Sequence, residues 1–261
     1  MIARPRVLVL RAPGTNCDAE TAYAFQLAGA VPQAIHINQL IGDPSLIERF
    51  QICCISGGFS YGDDIAAGKF LALQLQTSLA DALWRFHSRG SLLLGICNGF
   101  QVLLKAGLLV PNEAGGPVAT LTWNDSGRYR ACWVQLKADN RCCVFLRGIE
   151  QLELPIAHAE GKFVAIREQL LDSWELNHQL AIRYCRPNGT NGSVEFPHNP
   201  NGSVRGVAGI CDESGRVFGL MPHPERYIDF VQHPNWTRRR EDLAENGTGL
   251  RIFENAVQFF G

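Results

Sequence analysis

Leu92-Leu93-Leu94-Gly95-Ile96-Cys97-Asn98-Gly99-Phe100-Gln101 decides how this chain is read. An apolar run ends at a cysteine framed by two glycines, and Val102-Leu103-Leu104 follows at once. The first run predicts a buried strand and the second a helix, with Cys97 on the sharp turn between them. A nucleophile elbow is built this way, here with cysteine in place of serine. Gly95 and Gly99 leave room for strand and helix to approach closely. Cys97 then sits at a helix N-terminus, where backbone N–H groups favour a thiolate. A buried, inert cysteine is the plainer reading of such a position. The strand before it and the helix after it favour the nucleophile, provided the rest of the chain supplies a base and oxyanion donors.

Upstream of the elbow, residues 6–10 read as a strand ending in Ala12-Pro13-Gly14, and residues 17–28 have helical spacing closed by Gly29. Residues 33–37 and 51–55 are further strands. Residues 70–86 read as one helix with Leu71, Leu75, Leu79 and Leu83 on a single face, and residues 91–96 are the elbow strand. Short apolar strands alternating with helices predict an α/β fold with a mainly parallel sheet. Downstream, residues 131–136 and 180–184 read as strands. Residues 207–211 and 217–220 read as a hairpin around Asp212-Glu213-Ser214-Gly215. Residues 188–200 are rich in Asn, Gly and Pro and read as a loop, and residues 251–260 as a terminal helix. No repeat and no linker divides the chain, so residues 1–261 are expected to form a single domain.

The bulk numbers exclude several functions. The net charge is −1, which gives no basis for binding nucleic acid or an anionic membrane. The run Arg238-Arg239-Arg240 is followed by Glu241-Asp242 and reads as a solvated ion-pair surface. The apolar runs are too short for a membrane span, and residues 7–10 too short for a signal-peptide core. Nine cysteines, with no Cys-x-x-Cys among them, fit reduced thiols in a cytoplasm rather than a disulfide framework or a zinc site. Asn188-Gly189-Thr190 and Asn201-Gly202-Ser203 read as turn chemistry.

A base is offered by Met221-Pro222-His223-Pro224-Glu225. Residues before proline are pushed towards extended conformations, and in an extended chain residues two apart point the same way. His223 and Glu225 are therefore expected to project together, the carboxylate holding one ring nitrogen while the other faces Cys97. Alone, the segment reads more readily as a surface turn with an ordinary histidine. Oxyanion donors are offered by Ser56-Gly57-Gly58-Phe59-Ser60-Tyr61-Gly62-Asp63 at a strand end, where open parallel sheets bind ligands. The N–H of Gly58 and that of Asn98 are the expected pair. The glycine turn lacks the spacing of a P-loop, so no nucleotide site is expected in this chain.

Together these segments resemble the class I (triad) glutamine amidotransferases. The resemblance implies a flavodoxin-like open, mainly parallel sheet with an antiparallel extension. It implies that Cys97 attacks the glutamine carboxamide, that His223 is base and acid, and that Glu225 orients it. Gln101 would help to hold the amino-acid end of the substrate. Longer matches narrow the resemblance. They are Arg11-Ala12-Pro13-Gly14-Thr15-Asn16-Cys17-Asp18, the 57–63 turn, Asn124-Asp125-Ser126-Gly127-Arg128-Tyr129, His158-Ala159-Glu160-Gly161-Lys162 and Asn199-Pro200-Asn201-Gly202-Ser203. These look like the branch of glutaminase subunits that serve phosphoribosylformylglycinamidine synthases in purine biosynthesis. In that branch Asn124, Ser126 and the 158–161 segment lie near the glutamine site or the ammonia exit. The branch implies no cofactor in this chain and a separate synthetase chain that uses ATP and Mg, and leaves room for a small third subunit. Asp64 and residues 231–246 fit no part of the pattern. The rival readings are a stand-alone Cys–His–Glu hydrolase of the same fold and a non-catalytic regulatory subunit.

Overall fold

The computed structural model describes residues 4–187, 194–239 and 246–261. In chain order the elements are β1 (Arg6–Arg11), α1 (Asp18–Leu27), β2 (Val31–His36), α2 (Ile37–Gly42), β3 (Ile52–Ile55), α3 (Lys69–Ser78), α4 (Ala80–Ser88), β4 (Leu92–Ile96) and α5 (Asn98–Lys105). There follow β5 (Ala119–Thr122), β6 (Arg130–Ala138), β7 (Gln151–His158), β8 (Lys162–Ala165), α6 (Glu168–Leu176), β9 (Ile182–Tyr184), β10 (Val207–Cys211), β11 (Val217–Leu220) and α7 (Leu250–Gln258). Nine strands form one sheet in the order β2-β1-β3-β4-β11-β10-β9-β6-β7, while β5 and β8 pair separately. The run from β2 to β11 is parallel, and the run from β11 to β7 is antiparallel. This is the expected open parallel sheet with its antiparallel extension.

The parallel strands are buried on both faces, which is why they read as continuous apolar runs. All of Ile52 to Ile55 and all of Leu92 to Ile96 are buried. Helices cover the sheet and leave the carboxyl ends of β3, β4 and β11 together. Those three ends carry the glycine turn, the elbow and the His223 segment.

Two boundaries differ from the sequence reading. The helix expected over 70–86 is two helices, broken at Leu79, where φ is −127° and ψ is 5°. The Leu71, Leu75, Leu79 and Leu83 face stays buried across the break, so packing is kept while the axis turns. The second strand ends at His36, not Ile37, because the His36 ring accepts from the Asn38 N–H and caps α2. The 207–220 hairpin forms as expected, its turn closed by Gly215 N–H to the Asp212 carbonyl at 3.0 Å. The Asn188 triplet, half of the 188–200 loop, and Arg240-Glu241-Asp242 lie outside the described residues. Arg239 is placed, and it pairs with Glu153 of β7 at 2.6 Å. With it, His233 packs 4.5 Å from the Trp133 ring, so this part of the unmatched tail folds back over β6 and β7. Among the described residues no helix is long and apolar enough to cross a membrane.

Candidate active site

The elbow is present and strained. Cys97 has φ 51° and ψ −104°, between β4 and the first turn of α5. A left-handed φ at a non-glycine residue costs on the order of 1–2 kcal/mol and is held only by its surroundings. Here the Cys97 N–H donates to the Leu220 carbonyl at 2.8 Å, and its carbonyl accepts from the Gln101 N–H at 3.1 Å. The glycines fit by close approach. A Cβ on Gly99 would run into the Ile55 carbonyl, and one on Gly95 would lie 2.6 Å from the Gly99 oxygen. The Cys97 side chain is pinned beside β7, with the Ala157 carbonyl 3.8 Å from Sγ.

His223 is extended as expected, with φ −104° and ψ 90°, and its N–H donates to the Pro155 carbonyl at 2.9 Å. Glu225 departs from the expectation: it lies in a single 3-10 turn, Pro224–Arg226. The turn still brings the pair together, with His223 Nδ1 2.5 Å from Glu225 Oε1 and both side chains buried. The carboxylate accepts, so Nδ1 carries a proton. Nε2 is buried without a partner among the described residues. Burial disfavours the charged ring. The Glu225 carboxylate, then the Cys97 and Cys17 thiols, outweigh it and lift the His223 pKa well above the ordinary histidine value.

Gly58, with φ 139°, begins the turn after β3. It opposes Thr15 in an antiparallel bridge whose hydrogen bonds come from its neighbours: Phe59 N–H to the Gly14 carbonyl at 3.0 Å and Asn16 N–H to the Gly57 carbonyl at 3.4 Å. Such a pair leaves the Gly58 N–H pointing away from the ladder. The Asn98 N–H, in the first turn of α5, also has no helical acceptor. The two expected oxyanion donors thus stand at the carboxyl ends of the neighbouring strands β3 and β4.

The other expected site side chains are engaged within the protein. Asn98 Oδ1 accepts from the Ser60 N–H, while Nδ2 donates to Asp63 at 3.0 Å and Gln101 at 2.9 Å. Gln101 passes the chain on, donating to the Glu160 carbonyl at 2.6 Å. Asn124 spends its whole amide on the Arg128 and His158 carbonyls, the His158 ring and the Gly161 N–H. Ser126 is exposed and bonds within its own turn and to Arg130. Asn124 therefore shapes the segment around His158, and Gln101 braces the elbow.

Three residues near the triad escaped the sequence reading of the site. Cys17 lies against His223, its thiol raised by burial above the ordinary value. Arg226 donates to Cys17 Sγ at 3.0 Å and to Glu20 at 3.1 Å. Tyr129 is half-exposed and lies within electrostatic reach of Cys97 and His223. All three fall in or beside segments quoted above, but only folding shows that they meet. One ligand atom each from Cys17, His223 and Glu225 lies within 4.8 Å of the others, a set able to hold a metal.

A strained cysteine on an elbow and a buried imidazole oriented by a carboxylate are an arrangement able to support covalent acyl transfer. The profile of the CobB/CobQ-like glutamine amidotransferase domain matches residues 4–260. A phosphoribosylformylglycinamidine synthase subunit PurQ of Dehalococcoides mccartyi is 46% identical over 261 residues, covering 99% of this chain and 98% of its own length. One of Methanococcus maripaludis is 41% identical over 266 residues, covering 98% and 97%. Among solved structures, a chain in the structure of PurLQS from Thermotoga maritima superimposes with a TM-score of 0.74 at 29% identity, covering 99% of this chain and all of that one.

Proposed function

The chain belongs to the CobB/CobQ-like glutamine amidotransferase domain family, and on that premise we propose that it is the glutaminase subunit of a phosphoribosylformylglycinamidine synthase. It hydrolyses glutamine and supplies ammonia to a synthetase subunit that converts formylglycinamide ribonucleotide to formylglycinamidine ribonucleotide in purine biosynthesis. The observation that carries the chemistry is the strained Cys97 beside the buried His223–Glu225 pair.

Nε2 of His223, as the base, holds the proton taken from Cys97, and the thiolate sulfur attacks the carboxamide carbon. The N–H groups of Gly58 and Asn98 receive the developing oxyanion. His223 returns the proton to the leaving nitrogen, ammonia departs, and a γ-glutamyl thioester remains. Water, activated by the same nitrogen, releases glutamate. Glu225 holds the Nδ1 proton throughout and stabilises the imidazolium. On this reading Gln101 helps to hold the amino-acid end of glutamine, and Asn124 and Ser126 lie near the glutamine site or the ammonia exit.

The same reading has residues 1–261 as one domain, in the cytoplasm, where reduced cysteines persist. ATP and Mg belong to the synthetase partner. Two relatives carry the synthase-subunit name, and the solved neighbour is a PurLQS structure, which supports a multi-subunit assembly.

The test is Cys97→Ala in the reconstituted complex. Glutamine-dependent synthesis should vanish while high ammonia restores it, because ligation belongs to the partner. A mutant complex that still used glutamine would overturn the assignment.

A further inference from the structure

The hydrolysis uses one thiol, but two bear on His223. The second, Cys17, is held on the opposite wall of the site. Its N–H reaches the Gly57 carbonyl at 3.3 Å, and its Sγ lies beside the Asn16 side-chain oxygen at 3.2 Å. Cys17 and Glu225 are each 1% exposed and His223 2%. Glu225 keeps a second carboxylate oxygen, Oε2, buried and without a partner among the described residues.

We propose that Cys17, His223 and Glu225 form an inhibitory site for a thiophilic divalent cation of the zinc class. A sulfur, an imidazole nitrogen and a carboxylate oxygen are a ligand set that zinc takes. Here one atom of each already lies within 4.8 Å of the other two. The orphaned carboxylate oxygen is a donor without an occupation in the resting protein. Its desolvation is otherwise uncompensated.

Arg226 guards the entrance. Its guanidinium sits on Cys17 Sγ, and its other contact is Glu20; the Arg226 side chain is 38% exposed. A positive group at that point repels an incoming cation. A rotation of the Arg226 side chain into solvent would uncover the sulfur and give the buried ligands a path to the outside.

The chemistry of inhibition balances as follows. Metal binding deprotonates the Cys17 thiol, and that proton leaves to solvent. The metal takes the Nδ1 lone pair on the ring edge that Glu225 now holds, and the Nδ1 proton leaves to solvent with that of the thiol. Nε2 then carries hydrogen and offers no lone pair to Cys97. The base is lost although the nucleophile is untouched, and removing the metal restores it.

Cobalt(II) titration of the full chain tests the site through thiolate-to-cobalt absorbance. The band is expected in the parent protein and in Cys97→Ser, and Cys17→Ser should weaken binding at least tenfold. Arg226→Gln should tighten binding severalfold. Glu225→Gln, which preserves shape, should weaken it and so serves if Cys17→Ser fails to fold, as circular dichroism would reveal. Parent-like affinity in Cys17→Ser and Glu225→Gln would overturn the proposal, as would loss of the band in Cys97→Ser alone. The inhibition rests on the glutaminase reading: zinc should block glutamate release and a chelator restore it. A chain that released no glutamate even with its synthetase would count against that reading, while the cobalt titration would still decide the site.

Discussion

Asn98 Nδ2 donates to Asp63 Oδ1 at 3.0 Å, joining the helix behind the nucleophile to the turn that follows β3. Asp63 Oδ1 also accepts from the Gly68 N–H at 3.1 Å. The turn it holds is strained: Tyr61, Gly62 and Asp63 have φ of 56°, 72° and 54° in succession. Two of these residues are not glycine, so the conformation persists only while its contacts do. Tyr61 contributes its N–H to the Pro13 carbonyl at 2.7 Å and its hydroxyl to Gln74 at 2.7 Å.

Breaking that link should therefore release the turn and, with it, the Gly58 donor. Asp63→Ala is expected to lower the glutaminase kcat at least tenfold, about 1.4 kcal/mol of barrier. Thermal stability should change little, since strain relief offsets the lost bonds. A kcat equal to that of the parent chain would show that the two elements are independent.

In the proposed mechanism the triad partners separate by role. His223 moves protons, and one general acid–base group is worth roughly 100- to 10,000-fold, so His223→Ala should remove most of the rate. Glu225 orients the ring and stabilises its charge, so Glu225→Gln should be milder. Rates from glutamate release, with circular dichroism on both variants, check this. A Glu225 variant slower than the His223 variant, with its fold intact, would reverse the roles.

His158 gives a stability prediction with a definite sign. Burial, then the nearby His223, holds its pKa down to about 3. Its Nδ1 faces the Asn124 carbonyl oxygen, so the ring sits neutral with the proton on Nδ1. The unfolded chain binds a proton near pH 6.5 and the folded chain near 3. The stabilisation is therefore complete above about pH 6.5 and is lost as pH falls towards 3. The acid-side loss is on the order of 5 kcal/mol. Denaturant midpoints from pH 7 to 4 should fall steeply in the parent and less steeply in His158→Gln. Parallel curves would refute a buried neutral ring.

Much of this site was legible because its physics is local. A glycine-framed cysteine after a fully apolar strand can hardly be anything but a turn in a covered sheet. The unread elements failed for identifiable reasons. Residues 151–158 alternate buried and open positions, yet Pro155 argues against a strand. The structure makes β7 the last strand of the sheet, where a missing N–H costs least. The break at Leu79 follows from how two helices share one apolar face, which periodicity does not record. Cys17 and Arg226 are 209 positions apart, so their contact is a product of topology alone. The His223–Glu225 pair was expected for an imperfect reason: a 3-10 turn, not an extended chain, brings the groups together.

Dependence on the synthetase is the remaining prediction. A glutaminase that fired alone would consume glutamine and lose ammonia to solvent. A site whose oxyanion donor rests on a strained turn can be completed by docking. The turn is also accessible to a partner. Phe59, Ile65 and Phe70 are exposed around it, more apolar surface than one short segment needs to show to water. Burying those side chains against a partner would stabilise one state of the 57–63 segment over others. The isolated chain is expected to turn over glutamine slowly, with the Gly58 N–H out of position for part of the time. The synthetase subunit, with its nucleotide and ribonucleotide ligands, should raise glutamate release at saturating glutamine at least about tenfold, roughly 1.4 kcal/mol of barrier. Phe59→Ser should reduce that stimulation while leaving the slow basal rate. Equal turnover with and without the partner would remove gating and favour a stand-alone hydrolase.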